Sequence, residues 1–586
     1  MKTRQRNYDK APFIKIKGNS DCAWEGYEAI IEEIKRKISG HGGLKTIVTV
    51  DCYPGVYDEE IIPAFSKGLD PVLIIKADEA KADAQAINLL IKRNVTEDRV
   101  FGVMSCHLIR EFFDQDKLSC LREKISSVEA GIVLVYGTGA SLITDSHILI
   151  YADMARWEIQ LRMRRNEIGN WLSHNKEEEF LRKYKQAFFV EWRVADRHKL
   201  SLFEKIDYLL DTNQKSNPKM VTGKGFLAGL EQAAVRPFRL VPFFDPGPWG
   251  GQWMKEVCAL DGDTPNFAWC FDCVPEENSL YLMYGDIRIE IPSINLVLYK
   301  PVDLLGDAVH ARFGAEFPIR FDFLDTMEGG NLSLQVHPPT EYIQQTFGMH
   351  YTQDESYYLL DAGEKSFVYL GLKEEIDKHE MLKDLEKAQE AKGNFDADKY
   401  VNKWPARKHD HFLIPAGTIH CSGENCMVLE ISSTPYIFTF KLWDWGRLGL
   451  DGKPRPINIK HGSRVIQWQR DTVWTKKNLI NRVEIVGQGE GWTEEKTGLH
   501  EREFIETRRH WFKVPVKHHT NGGVNVLNLI EGEEAVVESP SRAFEPFVVH
   551  YAETFIIPAS VGEYTVRPFG KSDGKIIGTI KAYVRV

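Results

Sequence analysis

The sequence feature that most constrains the fold is a change of apolar pattern near residues 211–225, a polar stretch rich in turn-forming residues. Before that stretch, strand-sized apolar runs at 46–50, 71–75, 131–136 and 148–151 alternate with segments of helical periodicity. Further on, from Leu280 to Val586, short runs of β-branched and aromatic residues are separated by Gly, Pro and Asn. The pattern predicts an α/β region with a mostly parallel sheet, followed by a mainly β region of sandwich or jelly-roll type.

These patterns divide the 586 residues into four parts. We predict an α/β domain over residues 1–215, a linker over 216–234, a first β half over 235–475 and a second β half over 476–586. A charged stretch inside the first β half has apolar residues at helical spacing, which predicts a small helical insertion over 372–402. With 43% hydrophobic and 27% charged residues, the chain has the composition of a globular protein with large cores.

Charge and hydropathy exclude several classes of partner. Lys and Arg number 74 against 84 Asp and Glu, so the net charge of −10 supplies no basic field for a nucleic-acid backbone. No apolar run approaches the roughly 18 residues of a membrane helix, and the N-terminal segment lacks the apolar core of a signal peptide. Nine cysteines, an odd and sparse number, are typical of a reducing compartment. We expect a cytoplasmic protein that binds neither nucleic acid nor membranes.

The α/β region weakly resembles the nucleoside-kinase-type proteins of the P-loop class over about residues 20–215. The resemblance rests on the order of strands and helices and on an arginine-rich stretch at 154–165. The phosphate-binding motif of that class is missing, because the loop from Asp51 to Tyr57 has one Gly and no Lys. We therefore expect a degenerate kinase-like domain that binds no ATP. Four arginines of the stretch are interpreted as a solvated, salt-bridged face, with anion binding as the alternative: Arg156, Arg162, Arg164 and Arg165.

Four side chains in the β region could converge on one metal ion. Gln335 and His337 are two residues apart in a predicted strand and therefore share a face. Glu355 begins another predicted strand, and His420 closely follows a Pro-Ala-Gly turn. Two imidazoles, a carboxylate and an amide oxygen suit Zn²⁺ or another divalent first-row metal, with room for a water or substrate oxygen. Each histidine taken singly has a structural role as its alternative.

The motifs around these residues resemble, in the same order, those of type I mannose-6-phosphate isomerase, a cupin family. The matching segments are Phe-Pro-Ile at 317–319, Leu-Ser-Leu-Gln-Val-His-Pro at 332–338, Glu-Ser-Tyr-Tyr-Leu-Leu-Asp-Ala at 355–362, Ile-Pro-Ala-Gly-Thr-Ile-His at 414–420, Leu-Glu-Ile-Ser-Ser at 429–433, Trp-Asp-Trp-Gly-Arg at 443–447 and Gly-Lys-Pro-Arg at 452–455. Trp249, in a Trp-Gly-Gly motif, is similar to the family's opening motif, and the tail from 550 to 565 is similar to its second, metal-free cupin half. The resemblance covers about residues 236–586.

The resemblance implies a double cupin with one zinc or other divalent metal ion per chain. It implies that Gln335, His337, Glu355 and His420 are the metal ligands. It also implies an enzyme that interconverts mannose 6-phosphate and fructose 6-phosphate, moving a proton between C1 and C2 through an enediol.

Three polar positions depart from the family, which has Lys, Arg and Lys where this chain has Gln353, Lys441 and Asp322. We expect Lys441 to be the catalytic cation that stabilises the enediolate. Arg320 and Trp249 are expected to bind substrate, Arg320 in place of a lost cation, with an ordinary surface or ion-paired arginine as the alternative. Two other functions stay open: an isomerase for another, unphosphorylated substrate, and a non-catalytic metal cupin that binds a sugar or metabolite beside a kinase-like scaffold or sensor.

Overall fold

The computed structural model describes residues 7–390, 394–433, 438–449, 452, 455–498, 500–501 and 503–586. The chain forms two compact units. The α/β unit comprises Phe13–Ala233 and Ser279–Tyr299, and the β unit comprises Met1–Pro12, Ala234–Asn278 and Lys300–Val586. Within the described ranges, the helices are all too short or too polar to cross a membrane.

The elements of the two units are numbered together, in chain order. The strands of the α/β unit are β1 (Phe13–Lys15), β2 (Ala23–Glu25), β3 (Lys45–Cys52), β4 (Leu73–Lys76), β5 (Gly131–Gly137), β6 (Ile148–Asp153), β7 (Tyr208–Asp211), β8 (Lys219–Thr222), β11 (Ser279–Tyr284) and β12 (Ile287–Pro292). Its helices are α1 (Tyr27–His41), α2 (Asp58–Leu69), α3 (Ala84–Val95), α4 (Gln115–Ser126), α5 (Arg156–Arg164), α6 (Phe180–Gln186), α7 (Trp192–Leu202), α8 (Gly223–Ala233) and α10 (Ile294–Tyr299).

A seven-stranded sheet in the order β2-β8-β7-β6-β3-β5-β4 forms the centre of the α/β unit. The strands β4, β5, β3, β6 and β7 run parallel, and β8 and β2 are antiparallel additions at one edge. Ile34 of α1 and Phe65 of α2 are fully buried in the same core as Val48 and Val50 of β3. The predicted, mostly parallel sheet is therefore present, while the likeness to nucleoside kinases stays a prediction.

The segment predicted as a linker, 216–234, is regular structure instead. It contains β8, which pairs antiparallel with β7, and helix α8. The turn-forming residues Asn217 and Pro218 directly precede β8. The first residue of α8 must be glycine, because a Cβ on Gly223 would lie 2.0 Å from the carbonyl oxygen of Ile206. Short turns between two such elements contain the same polar, turn-forming residues as a linker, so composition alone does not distinguish them.

Two of the four arginines interpreted as a solvated face are buried. Arg156 forms an ion pair with Asp196 inside the α/β unit, and Arg162 is fully buried. The Arg162 guanidinium donates to the carbonyl oxygens of Gly55, at 3.0 Å, and Thr212, at 2.7 Å. The partners of Arg162 thus come from loops far away in sequence, which the local pattern of charges cannot indicate. Arg164 and Arg165 are exposed, as that interpretation expects.

The β unit consists mainly of antiparallel strands. They are β9 (Phe243–Asp245), β10 (Trp269–Cys273), β13 (Arg320–Asp325), β14 (Leu334–Val336), β15 (Glu355–Ala362), β16 (Phe367–Leu372), β17 (Val401–Pro405), β18 (His411–Ile414), β19 (His420–Ser422), β20 (Cys426–Ser432), β21 (Phe440–Trp443), β22 (Glu484–Gly489), β23 (Trp492–Lys496), β24 (Ile505–Phe512), β25 (Val516–His519), β26 (Asn525–Glu531), β27 (Glu534–Glu538), β28 (Phe547–His550), β29 (Thr554–Ile557), β30 (Glu563–Pro568) and β31 (Ile577–Val584). Its helices are α9 (Trp253–Val257), α11 (Pro301–Leu305), α12 (Asp307–Phe313), α13 (Thr340–Phe347), α14 (Lys378–Gln389), α15 (Ala397–Tyr400), α16 (Ile459–Val465) and α17 (Thr472–Asn478).

These strands form two pairs of sheets. The first pair has the orders β18-β15-β20-β13-β10-β9 and β17-β16-β19-β14-β21, and the second has β22-β23-β24-β31-β26-β29 and β25-β30-β27-β28. Helices α14 and α15 lie between β16 and β17, in the stretch predicted as a helical insertion. The second pair encloses its own apolar core, which includes Phe512, Leu527 and Val566. The first pair carries the polar residues that the sequence singles out.

Candidate metal centre

Three side chains from the first pair of sheets meet in a fully buried cluster. The Nε2 atom of His337 lies 3.2 Å from one carboxylate oxygen of Glu355, and the Nε2 atom of His420 lies 2.7 Å from the other. Ligand atoms of all three residues lie within 4.8 Å of one another. Across the described ranges, no other group of three His, Cys, Asp or Glu side chains meets this condition.

The strand pairing explains how the cluster forms. Gln335 in β14 is the direct register partner of His420 in β19, and Glu355 is the first residue of β15 in the facing sheet. Gly417, in the turn before β19, has φ +90° and donates its N–H to the carbonyl oxygen of His337 at 2.8 Å. A side chain there would meet Gln467 at 2.4 Å, so the turn that delivers His420 requires glycine.

Backbone carbonyls fix the protonation of both imidazole rings. The Nδ1 atom of His337 lies 2.9 Å from the Phe438 carbonyl oxygen, and that of His420 lies 2.9 Å from the Thr418 carbonyl oxygen. A carbonyl oxygen only accepts, so each Nδ1 carries a proton, and each Nε2 faces Glu355. The His337 Nε2 atom and one Glu355 oxygen have no hydrogen-bond partner among the described residues. Once the Nε2 atoms give up any proton, this inward-facing set of nitrogen and carboxylate atoms fits a divalent cation.

Charge and burial oppose each other at Glu355. Burial raises the pKa of this carboxyl, but His337 and His420 outweigh burial and hold the pKa well below its usual range. The Gln335 amide nitrogen lies 3.2 Å from His420 Nε2, and a half turn of the amide would aim its oxygen at the same point. The structure therefore brings together all four residues that are predicted from the sequence to be metal ligands: Gln335, His337, Glu355 and His420.

A second layer of polar side chains surrounds Glu355. Gln353 donates to the Glu355 carboxylate at 2.8 Å and lies 3.4 Å from that of Glu430. Burial raises the pKa of Glu430 well above its usual range, and the carboxylates of Glu355 and Asp322 raise it further. Burial also raises the pKa of Asp322, to about 6. Arg320 is buried and donates to Asp322 at 3.1 Å, so its guanidinium is held inside the fold.

A group of cations lies beside the metal cluster. Lys441 in β21 is the register partner of Gln335, and among the described residues its ammonium group has no ion-pair partner. Burial and, to a smaller extent, the nearby guanidinium of Arg455 lower the pKa of Lys441 to about 7. Asp444 pairs with Arg447 at 2.6 Å and with Arg455 at 2.7 Å. Three cations against one carboxylate leave an excess of positive charge.

Trp249 lies next to this group. A Cβ on Gly330 would be 3.3 Å from the Arg447 guanidinium and 3.9 Å from Trp249, so both residues flank the same glycine. The indole ring of Trp249 is buried against Trp269, with ring centroids 4.7 Å apart. Its N–H has no acceptor among the described residues.

Sequence reasoning did not assign roles to Glu430, Asp444, Arg447 or Arg455. The signal was present, because all four lie in the Leu-Glu-Ile-Ser-Ser, Trp-Asp-Trp-Gly-Arg and Gly-Lys-Pro-Arg motifs. Strand alternation predicts that Glu430 shares a face with Val428 and Ser432, but not that this face points toward Glu355. That approach depends on the packing of the two sheets.

Comparisons with known proteins match different shares of the chain. Residues 26–235 match a family described as a domain of unknown function, DUF8485. A mannose-6-phosphate isomerase from Streptococcus mutans is 24% identical over 220 residues, which are 37% of this chain and 64% of the relative. The mannose-6-phosphate isomerase ManA from Bacillus subtilis is 26% identical over 154 residues, 26% of this chain and 45% of the relative.

Solved structures of similar proteins cover a larger part of the chain. The mannose 6-phosphate isomerase from Bacillus subtilis has a TM-score of 0.48 and 16% identity, and the match covers 60% of this chain and 100% of that one. A variant of phosphomannose isomerase from Salmonella typhimurium has a TM-score of 0.45 and 13% identity, with coverage of 60% and 100%. In sequence, the chain spans less than two thirds of the length of the curated relatives it matches. It is similar to mannose-6-phosphate isomerases over about 37% of its own length.

Proposed function

We propose that the β unit is a metal-dependent aldose–ketose isomerase, which interconverts mannose 6-phosphate and fructose 6-phosphate or a related sugar pair. The observation that carries the proposal is the buried cluster of His337, Glu355 and His420, with Gln335 in register beside it. The sequence similarity to curated mannose-6-phosphate isomerases supports it.

The donor set suits one zinc ion or another divalent first-row metal per chain, held by Gln335, His337, Glu355 and His420. Bound there, such an ion would supply a Lewis acid that stabilises negative charge developing on the sugar oxygens. The backbone hydrogen bonds to both histidine rings keep their Nε2 lone pairs directed inward.

The chain's own cations would act on the substrate. Lys441 would place its ammonium group near the developing enediolate, in a site with little water. An anionic substrate beside Lys441 would raise the pKa of this amine and favour its charged form. Arg447 and Arg455 would bind the phosphate, since their guanidinium groups can hold a phosphate while still pairing with Asp444. Trp249 would form an apolar wall beside them.

The buried arginine has a different role in this proposal. Arg320 pairs with Asp322 inside the sandwich and would balance the buried carboxylates of Asp322 and Glu430. Substrate binding by Arg320 therefore stays a prediction that its buried position does not support.

The proposal is tested by metal analysis and turnover together. Purified protein should contain about one divalent ion per chain, and a chelator should remove both the ion and the turnover of mannose 6-phosphate. Added Zn²⁺ should restore both. Glu355→Gln should lose the ion, while Glu364→Gln, at an exposed position in the turn after β15, should keep it. Protein that holds no ion after reconstitution, or that holds one without turning over any sugar phosphate, would contradict the isomerase.

One observation favours a second candidate. Gln353 and Lys441 stand where the resembling family has Lys and Arg, and a lysine cannot offer the bidentate fork of an arginine. The second candidate is a metal cupin that binds an unphosphorylated sugar or a metabolite, as an isomerase for it or without catalysis. Parallel assays of mannose and mannose 6-phosphate separate these outcomes, because only the proposed function requires the phosphate.

A further inference from the structure

A cavity in the α/β unit lies at the carboxyl ends of the parallel strands β3, β4 and β5. Its volume is about 280 Å³. Cys52, Lys76 and Tyr136 line it from the ends of the three strands, and residues of the segment 168–174 complete the lining. The cavity belongs to neither the metal cluster nor the cation group described above.

The order of the strands places this cavity at a switch in the direction of the chain. From β3 the chain passes outward to β4, returns to β5 between them, and then continues to β6 on the other side of β3. In open α/β sheets, ligands bind in the crevice outside the carboxyl ends of the strands at such a point. The cavity therefore has the position of a binding site.

The helix that begins at this cavity does not favour an anion. Helix α2 has 12 residues and starts with Asp58, Glu59 and Glu60. Their carboxylates stand at the positive end of the helix dipole, where a phosphate would otherwise be stabilised. The loop before α2 is also fixed, because Gly55 accepts a hydrogen bond from the buried Arg162. Its backbone is held by the fold instead of forming a phosphate cradle.

The charged groups that line the cavity nearly balance. They are Asp58, Asp78, Lys76, Lys81 and His174. Lys81 pairs with Asp78 at 3.1 Å and donates to the carbonyl oxygen of Trp171 at 2.7 Å. Its ammonium group is therefore already bound by residues of the cavity lining. The remaining charges leave no strong field for an ion of either sign.

The polar groups that are left match a ligand with several hydroxyl groups. One oxygen of Asp58 accepts from the Tyr136 hydroxyl at 2.6 Å, and the other has no donor among the described residues. Trp171 lines the cavity and adds an aromatic wall. Lys76 adds a donor at the end of β4. An acceptor and a donor between aromatic walls are what adjacent sugar hydroxyls require.

We propose that this cavity binds an unphosphorylated monosaccharide, whose hydroxyl groups donate to Asp58 and accept from Lys76 while its ring lies against Trp171. The volume lies near the lower end of that of small-molecule sites, which suits a single sugar ring. The site does not depend on the isomerase activity proposed for the β unit.

The test is calorimetry on the full chain with D-mannose and D-ribose as probes, in a Glu355→Gln background that disables the metal centre. At least one probe should bind with a Kd of about 10 mM or tighter. Asp58→Asn should weaken that binding at least tenfold. Glu59→Gln is the matched control, because Glu59 lies in the same helical turn outside the cavity lining, and it should leave the Kd unchanged.

A spectroscopic readout locates the bound sugar. The indole N–H resonance of Trp171, assigned by its loss in Trp171→Phe, should shift on titration with the probe and should not shift in Asp58→Asn. A merely structural Asp58 would leave the titration unchanged. The proposal is overturned if neither sugar binds at about 10 mM, or if Asp58→Asn binds as well as the background protein does. Mannose 6-phosphate binding that is tighter than mannose binding and that is weakened by Asp58→Asn would also overturn it.

Discussion

Replacing Lys441 by methionine should raise the stability of the β unit while it lowers catalysis. The substitution keeps an unbranched side chain that is one atom shorter and removes the ammonium group. Burial and the neighbouring Arg455 hold the pKa of Lys441 at about 7, against 10.5 for an ordinary lysine. That difference is worth about 5 kcal/mol against the charged form in the folded state.

The sign of the effect follows from proton binding. As the pH falls below 10.5, the unfolded chain binds a proton at Lys441 while the folded chain does not, so wild type loses stability down to about pH 7. Lys441→Met escapes this loss. Because Lys441 is only half-buried and the fold can relax, we expect a gain of about 1–3 kcal/mol at pH 7.5, shrinking toward zero at pH 10.5. A divalent ion bound nearby repels the ammonium group and acts in the same direction.

The assay pairs chemical unfolding with turnover. Urea unfolding of wild type, Lys441→Met and the exposed control Lys460→Met at pH 7.5 and 10.5 gives the stability difference and its pH dependence. Turnover of mannose 6-phosphate by Lys441→Met should fall by about 10²–10³, the usual effect of losing one preorganised charge. The reasoning is refuted if Lys441→Met matches wild type within about threefold in kcat, which is under 1 kcal/mol. It is equally refuted if the two proteins unfold at the same urea concentration at both pH values.

Three further predictions concern other parts of the chain. Calorimetry should find no magnesium-dependent ATP binding tighter than about 1 mM, since the loop from Asp51 to Tyr57 offers no phosphate cradle, and micromolar binding would contradict this. Burial lowers the pKa of His411 to about 3, so its contribution to stability is complete above about pH 6.5 and is lost as the pH falls toward 3. Replacing His411 by Phe should therefore lower the midpoint pH of acid unfolding measured by circular dichroism, and an unchanged midpoint would count against it. Gly417→Ala should cost about 1–3 kcal/mol, from positive φ and the clash with Gln467, and should reduce metal content.

The sequence predicted the group of residues that meets in the candidate metal centre because the relevant signals are local. Gln335 and His337 share a face through the two-residue period of a strand, and the glycine of a tight turn marks the position of His420. The apolar face of helix α1 is equally local, because Ile30, Ile31 and Ile34 recur at helical spacing and are buried.

The features that the sequence did not predict depend on distant segments. Strand β1 pairs in parallel with β11, so that Phe13 lies opposite Tyr281 in the α/β unit. Residues 279–299 therefore belong to the first unit although they follow part of the second. Composition along the chain cannot show such an exchange, because the pairing partners are more than 250 residues apart. Arg156 shows the same limit, since its buried partner Asp196 lies on another helix.

Metal binding of the kind proposed would be coupled to the packing of the two sheets in the β unit. Gln335 and His420 come from one sheet and Glu355 from the other, so an ion that contacted all of them would also hold the two sheets together. Without a cation, the buried Glu355 carboxylate depends on the two histidine rings for its stabilisation. A change that alters the spacing of the sheets should therefore release the ion even when each ligand is intact. Gln353 belongs to this balance, because its amide separates the carboxyl groups of Glu355 and Glu430 and so keeps Glu355 available to a metal.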